Sequence, residues 1–336
     1  MRKSAPTISD VAEKAGVNRV TASVVLNNSR GNTRVSEATR QRILAAAAEL
    51  RYQPNAVALS LRRRRTDTIG FYSGDNSNDV RFPFFSQIIS GLQKGCEQYV
   101  KDLLIHRRAG GRPVETVYAE LVNGKVDGLI LYAPPDDPLV RLLADSHLPT
   151  IAVADAVASL PSVVVDDAAG GRLQAEHLYR RGHKRILYHV GSHAATSVCR
   201  RREAFCAAAA SYGLSVVQSA SRSDYCRGEL SDESRERLSR PPDARPTAIV
   251  CWEDLSAYRV LAECRTMGLH VPTDIAIVGF DGVEPFIEPA WRLTTVRAPW
   301  RELGYRAVIQ LMAQLEGKEV APETVLPVEL VVGNTT

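Results

Sequence analysis

The six cysteines of this chain (Cys96, Cys199, Cys206, Cys226, Cys251 and Cys264) form no CxxC pair and no metal-like spacing with histidine. That absence argues for reduced thiols and against a disulfide framework or a zinc site. No window approaches the run of about 18 apolar residues that a membrane span requires. The opening "MRKSAPTISD" is basic with no apolar run behind it, so no secretory leader is expected. Catalytic machinery is missing as well. His183 in "RGHKRI" has no serine, cysteine or acid pair spaced to make it catalytic, and "AAGGR" at 168–172 matches neither a dinucleotide glycine pattern nor a Walker loop. No enzyme activity, no cofactor, no metal site and no membrane partner are expected. No heptad segment trails the final "VELVVGNTT", so a coiled-coil tetramer is not expected either.

What is present is uneven. The 336 residues, 45% hydrophobic and 24% charged, suit a globular protein of two or three domains. Residues 1–65 hold 13 Lys and Arg against 4 Asp and Glu, whereas the remainder holds 29 against 34. A basic head on a mildly acidic body points to a polyanion-binding module joined to something else. The head ends on "PNAVALSLRRRR", Pro54 to Arg65, where a short apolar run abuts four arginines. A partner for that segment must offer both apolar surroundings and dense negative charge.

Helix signals organise the head. Thr7 with Asp10 three residues on is a capping-box pattern, followed by Ile8, Val11, Ala12 and Ala15 on one helical face. Gly16 ends that helix, and Asn18 is a suitable N-cap for "RVTASVVLN". Ser36 caps a third helix, whose buried stripe is expected to be Ile43, Leu44, Ala47 and Leu50. Two short helices around a tight glycine turn, then a third, form a helix-turn-helix layout.

The stretch "TISDVAEKAGVNRVTASVVLNN…RVSEATRQRILAAAAELRYQPNAVALSLR" resembles the DNA-binding head of the LacI/GalR (lactose-repressor) family. The resemblance continues in family order through "TDTIGF", "VDGLIL", "VVVDDAAGGRLQAEHL", "RGHKRI", "RPTAIV", "VPTDIAIVGFDG", "LTTVRAP" and "LGYRA". It implies a regulator that binds a pseudo-palindromic operator as a homodimer under the control of a small-molecule effector. The segment after the third helix is then a hinge helix that enters the minor groove. Asn55 would cap it, Ala58 would let two hinge helices touch, and Leu61 would wedge into the central base step. Arg62 and Arg63 would neutralise nearby phosphates. Base reading falls to the start of the second helix, Asn18, Arg19, Val20 and Thr21, with Arg19 the best guanine reader. Thr7, Asn27 and Arg34 complete the DNA-facing set. Val24 stands where many relatives carry arginine, so no operator sequence is implied.

From Thr68 onward short β-rich runs alternate with helical stretches: "TIGFYS", "DLLIHR", "GLILYA", "PTIAVAD", "SVVVD", "RILYHV", "AIVCW" and "IAIVGF". Such alternation argues for parallel sheets covered by helices. The expected fold is an all-α helix-turn-helix head plus hinge helix, joined to a two-lobed α/β, periplasmic-binding-protein-like effector domain. That domain would be Rossmann-like, with parallel sheets. The expected domains are 1–53 (DNA-binding), 54–66 (hinge) and 67–336 (core). Lobe 1 is placed at about 67–165 with 296–326, and lobe 2 at about 166–295 with 327–336. Ligands of such sheets bind beyond the strand carboxyl ends, here the cleft between lobes. Asp155 ends "IAVAD", Glu253 and Asp254 follow "IVCW", and Asp281 follows "IVGF". The resemblance adds Phe84 and Phe85 in "RFPFF", Arg201 as a pocket arginine, and Tyr225 as a stacking ring. Acids, one arginine and aromatic faces together suit a sugar-like polyol. The expected location is cytoplasmic and nucleoid-associated. The alternatives are a ligand-independent architectural DNA binder and a nucleoside- or purine-responsive regulator.

Overall fold

The structure is a computed structural model and describes residues 5–27, 35–74, 83–106, 111–190, 195–220, 229–283 and 292–336. These residues form twelve helices and twelve strands. They fall into two units, Met1–Asp67 and Thr68–Thr336.

Four helices make the first unit. In α1 (Ile8–Ala15) the Asp10 N–H donates to Thr7 Oγ1 at 3.3 Å, and the Thr7 N–H donates back to Asp10 Oδ2 at 2.7 Å. This reciprocal cap satisfies amides that have no partner inside the helix. Gly16 stops α1 with φ 63°, a left-handed conformation that costs glycine little. Asn18 caps α2 (Arg19–Leu26), and Ser36 caps α3 (Glu37–Glu49). Asn55 Oδ1 accepts from Val57 and Ala58 N–H to start α4 (Ala56–Arg63). Val11, Ala12, Ala15, Ala22, Val25, Ile43, Ala46 and Ala47 are the buried core. Leu44, expected in that stripe, is 44% exposed. It lies 100° around the helix from Ile43, whereas Ala46, Ala47 and Leu50 cluster near that residue's azimuth.

The second unit has two sheets of six strands. The first runs in the order β11-β5-β4-β3-β1-β2. It joins β1 (Thr68–Tyr72), β2 (Asp102–His106), β3 (Gly128–Leu131), β4 (Thr150–Val153), β5 (Ser162–Val165) and β11 (Glu323–Leu326), all in parallel. Helices α5 (Pro83–Gln98), α6 (Val114–Leu121), α7 (Pro138–Ala144) and α12 (Trp300–Leu315) belong to this lobe. The second sheet runs β12-β10-β9-β8-β6-β7. Its strands are β6 (Arg185–Val190), β7 (Ser215–Ala220), β8 (Ala248–Cys251), β9 (Ala276–Asp281), β10 (Thr294–Arg297) and the antiparallel β12 (Glu329–Val331). With it go α8 (Asp167–Arg180), α9 (Thr196–Ser211), α10 (Asp232–Leu238) and α11 (Asp254–Thr266). Central strands β3, β4, β5 and β8 are buried along their whole length, as sheets covered on both faces require.

Three crossings join the lobes: after β5, after β10 and after β11. The second falls later than the boundary drawn from sequence, because Arg297 still pairs with Asp281 in the second sheet. Residues 168–172 open α8, and their glycines serve packing. A Cβ on Gly171 would lie 2.2 Å from the Arg201 carbonyl oxygen, so α8 and α9 touch backbone to backbone there. That approach fixes where Arg201 enters the cleft.

Candidate nucleic-acid interface and effector cleft

In the head, capping chemistry decides which side chains remain available. Asn18 Oδ1 accepts from the Thr21 N–H at 2.8 Å and from its hydroxyl at 2.9 Å, so both are committed to starting α2. Arg19 and Val20 beside them are exposed, Val20 at 65%. Among the described residues Arg19 has no ion-pair partner. Thr7 is occupied by its capping box, and the Asn27 amide donates to the Ser23 carbonyl at 3.0 Å. Arg34 lies outside the described residues.

The fourth helix is apolar where water would normally be. Val57 is 68% and Leu61 78% exposed, one turn apart on the same face. Ala58 is exposed beside them. Arg62 and Arg63 occupy the last turn, where cations suit the helix dipole, and Arg64 closes it at φ 53°. Arg63 reaches Asp67 at only 4.0 Å, with both side chains about half exposed, a contact worth little. The arrangement offers an apolar wedge backed by unneutralised positive charge.

In the body, the strand ends bring charge and aromatic surface to one place. Phe84 and Phe85 open α5 and pack edge-on against Tyr132, at 5.8 and 5.1 Å between ring centroids. Phe84 also meets Trp300 at 4.7 Å. The Tyr132 hydroxyl is pushed up by burial and by the carboxylates of Asp155, Glu253 and Asp281, with Arg201 acting the other way. Tyr132 thus lies at the electrostatic meeting point of both lobes. It was not among the sequence candidates, although it directly follows β3 just as Asp155 follows β4.

Each charged group has a partner. Asp155, 4% exposed, accepts from Ser197 N–H at 2.8 Å and Thr196 N–H at 3.2 Å, both at the start of α9. Burial pushes its carboxyl up to about 6 against the pull of those amides. Arg201 donates to Asp167 Oδ1 at 2.7 and 3.2 Å and to the Trp252 carbonyl. Its guanidinium carbon lies 3.1 Å from the Phe280 ring centroid. Asp167, missed from sequence, reads there as nothing more than an acidic first-turn residue. Asp254 accepts from the Thr295 hydroxyl at 2.6 Å and from Val283 N–H at 2.9 Å, and its own N–H bonds to the Asp281 carboxylate. Burial raises both carboxyls, and for Asp281 the neighbouring Asp254 charge adds to the effect. The pair therefore keeps a proton more readily than free carboxylates do. Asp281 sits at φ 129°, a strained left-handed value for a residue with a Cβ. Glu253 is half-buried and accepts from the Ser256 hydroxyl at 3.1 Å. Six of the seven effector candidates gather around Tyr132; Tyr225 lies outside the described residues.

An exposed basic helix-turn-helix head, joined in the chain to a two-lobed body with a charged, aromatic cleft, points to a DNA-binding regulator with an effector domain. Comparison with known proteins makes that specific. Residues 7–55 match the family model for bacterial regulatory proteins of the lacI family, and residues 175–336 match a periplasmic binding protein-like domain. The HTH-type transcriptional repressor PurR of Photobacterium profundum is 33% identical over 335 residues, covering 95% of this chain and 97% of the relative. PurR of Escherichia coli O139:H28 is 31% identical over 332 residues, covering 95% and 93%. Among solved structures, the lac repressor dimer bound to operator and the anti-inducer ONPF aligns with TM-score 0.82 at 27% identity, covering 99% of each chain. A complex of the transcriptional regulator CelR with cellobiose aligns at 0.70 and 28% identity, covering 98% of this chain and all of that one. The chain belongs to the lacI family of bacterial regulatory proteins. It is a DNA-binding repressor with an effector domain, and its relatives are repressors, not enzymes. Among the described residues no helix is long and apolar enough to cross a membrane.

Proposed function

We propose that the protein represses transcription as a homodimer on a pseudo-palindromic operator, and that a small sugar-like effector in the inter-lobe cleft sets its operator affinity. The observation that carries this reading is the convergence of Asp155, Glu253 and Asp281 with Arg201 and the rings of Phe84, Phe85 and Tyr132. Carboxylates accept from neighbouring hydroxyls, the proton kept by the Asp254–Asp281 pair can be donated, and aromatic faces cover C–H surface. Tyr225, outside the described residues, is assigned to the same site on the family resemblance alone.

On DNA, Arg19 reads a base edge with Asn18, Val20 and Thr21 around it. Thr7, Asn27 and Arg34 complete the DNA-binding set. In the hinge, Asn55 starts the helix, Ala58 allows close approach, Leu61 wedges, and Arg62 and Arg63 meet phosphates. The working units are 1–53, 54–66 and 67–336, and the place of work is the cytoplasm, on the nucleoid. Exposed apolar residues on and next to the edge strand β2, Val100, Leu104 and Ile105, support a homodimer by offering a surface to a second copy.

The test is a thermal-shift screen of sugars, sugar phosphates and nucleosides, then operator titrations with each hit. A sugar that raises the melting temperature and changes operator affinity about 5–150-fold supports the reading. A response confined to nucleosides replaces the effector class. A protein that binds operator and answers to no ligand is an architectural DNA binder.

A further inference from the structure

Helix α9 begins without a cap of its own. Its N-cap position is Ala195, which supplies no side-chain hydrogen bond. The first amides of a helix have no acceptor inside it, and here the acceptor comes from the other lobe. Asp155, just beyond β4 of lobe 1, takes both Thr196 and Ser197 N–H groups. One turn further, Arg200 makes a two-pronged pair with Glu323 of β11, again in lobe 1, at 2.7 and 3.1 Å. Arg201, the next residue, turns inward to Asp167 and the cleft. A single rigid helix therefore carries two polar attachments to lobe 1 and one residue of the proposed effector site.

We infer that Arg200 and Glu323 are positioning residues: their pair holds α9 against lobe 1, so that Asp155 stays seated on the helix start and the lobes keep one relative orientation. The pair is partly exposed, with side-chain accessibilities of 42% and 35%, so its effect in a fixed conformation is small. Its leverage comes from geometry. The carboxylate of Asp155 and the guanidinium of Arg200 grip the same helix, and releasing one lowers the cost of releasing the other. An effector bound at Arg201 then acts on a helix whose seating decides lobe orientation, a consequence that rests on the effector reading above.

Hydrogen exchange at single-amide resolution on the full-length protein tests the latch with no ligand. The proteins compared are wild type, Arg200→Gln, Glu323→Gln, the double variant and the charge swap Arg200→Glu with Glu323→Arg. Each single variant should speed exchange at Thr196 and Ser197 about two- to fivefold, while the buried β6 amides stay at wild-type rates. The double variant should add nothing, and the swap should restore protection. Unchanged Thr196 and Ser197 rates in the single variants overturn the inference, as does a double variant whose effects add. In a second arm, wild type and Arg200→Gln are titrated with an operator duplex selected from random sequence and with a scrambled duplex. A shift of about two- to fivefold on operator alone supports the positioning role, and equal operator affinities overturn it. Neither arm uses an effector, so a wrong effector class leaves both readable.

Discussion

The head leaves the side chains proposed to meet DNA in water, whereas the cleft buries in pairs those proposed to meet the effector. Arg19, Leu61, Arg62 and Arg63 stand exposed with little or nothing to hold them. Arg201, Asp155, Asp254 and Asp281 are each at most 9% exposed, and each has a named partner. The difference fits operator DNA on one side and the proposed effector on the other. A polyanion brings its own charge and releases counterions, so basic residues can wait solvated. The sugar-like effector proposed above brings no charge, so on that proposal the protein must hold desolvated charges in place beforehand, and they stay only if paired. Changes in the head should therefore alter binding with little effect on stability, and changes in the cleft should alter stability first.

Arg201→Met is the sharpest way to break that contrast. It strands Asp167, 3% exposed, without its guanidinium, and the loss should be about 3–5 kcal/mol in urea unfolding of the body. Arg62→Gln should stay within about 0.5 kcal/mol of wild type in the same experiment while weakening operator binding. Equal stabilities for the two variants would mean that burial does not separate the regions.

Arg19→Ala should cost about 1–3 kcal/mol against the best operator and relax preference at one symmetric position in each half-site. A selection experiment returning the wild-type consensus would reassign Arg19 to phosphate contact. Leu61→Ala extends the same logic: affinity for operator should fall while affinity for scrambled duplex holds, because only a deformed base step gains from a wedge.

The buried acids make a pH prediction. Asp155 titrates near 6 in the folded protein against an ordinary value of 3.8, raised first by burial. The folded state thus holds this proton more tightly than the unfolded chain does. The resulting stability is complete below about 3.8 and is lost as pH rises to about 6, by up to about 1.4 kcal/mol per pH unit. Asp155→Asn does not titrate, so wild-type stability minus that of the variant should fall across this window and level off above it. His106, His177 and His183, all lowered chiefly by burial, act in the opposite sense in both proteins and cancel in the difference. Parallel profiles would show that Asp155 is not desolvated in solution.

The same contrast explains what could be read from sequence. Thr7, Asn18, Ser36 and Asn55 declare themselves because a cap and the helix it starts are neighbours in the chain. Strand positions are equally local, since β3, β4 and β8 are short apolar runs. The cleft partnerships are not local. Asp155 meets α9 about forty residues on, Arg201 meets Asp167 from the next helix, and Thr295 of β10 reaches Asp254, which follows β8, with β9 between the two strands. Tyr132 was within reach of the strand-end rule that singled out Asp155. Leu44 misled because its hydrophobicity outweighed its place on the helix.

The smallest effect separates local folding from contact. Among the described residues the hydrogen bonds of Asn55 stay within its own helix start, where its side-chain Oδ1 accepts from Val57 and Ala58 N–H. If its role is capping, Asn55→Ala should destabilise α4 by about 1 kcal/mol, and Asn55→Gly by only a few tenths. Global unfolding should not register either change, because none of the described α4 side chains belongs to the buried core of the head. In the docking proposed above the hinge has to be helical to place Leu61, so on that reading the loss should appear in operator affinity, at about fivefold per hinge helix for Asn55→Ala and close to wild type for Asn55→Gly. Operator titrations of the three proteins measure it. Should the glycine variant bind as poorly as the alanine one, Asn55 is making a DNA contact of its own, and it would then join Leu61, Arg62 and Arg63 as an exposed side chain that acts by touching the ligand.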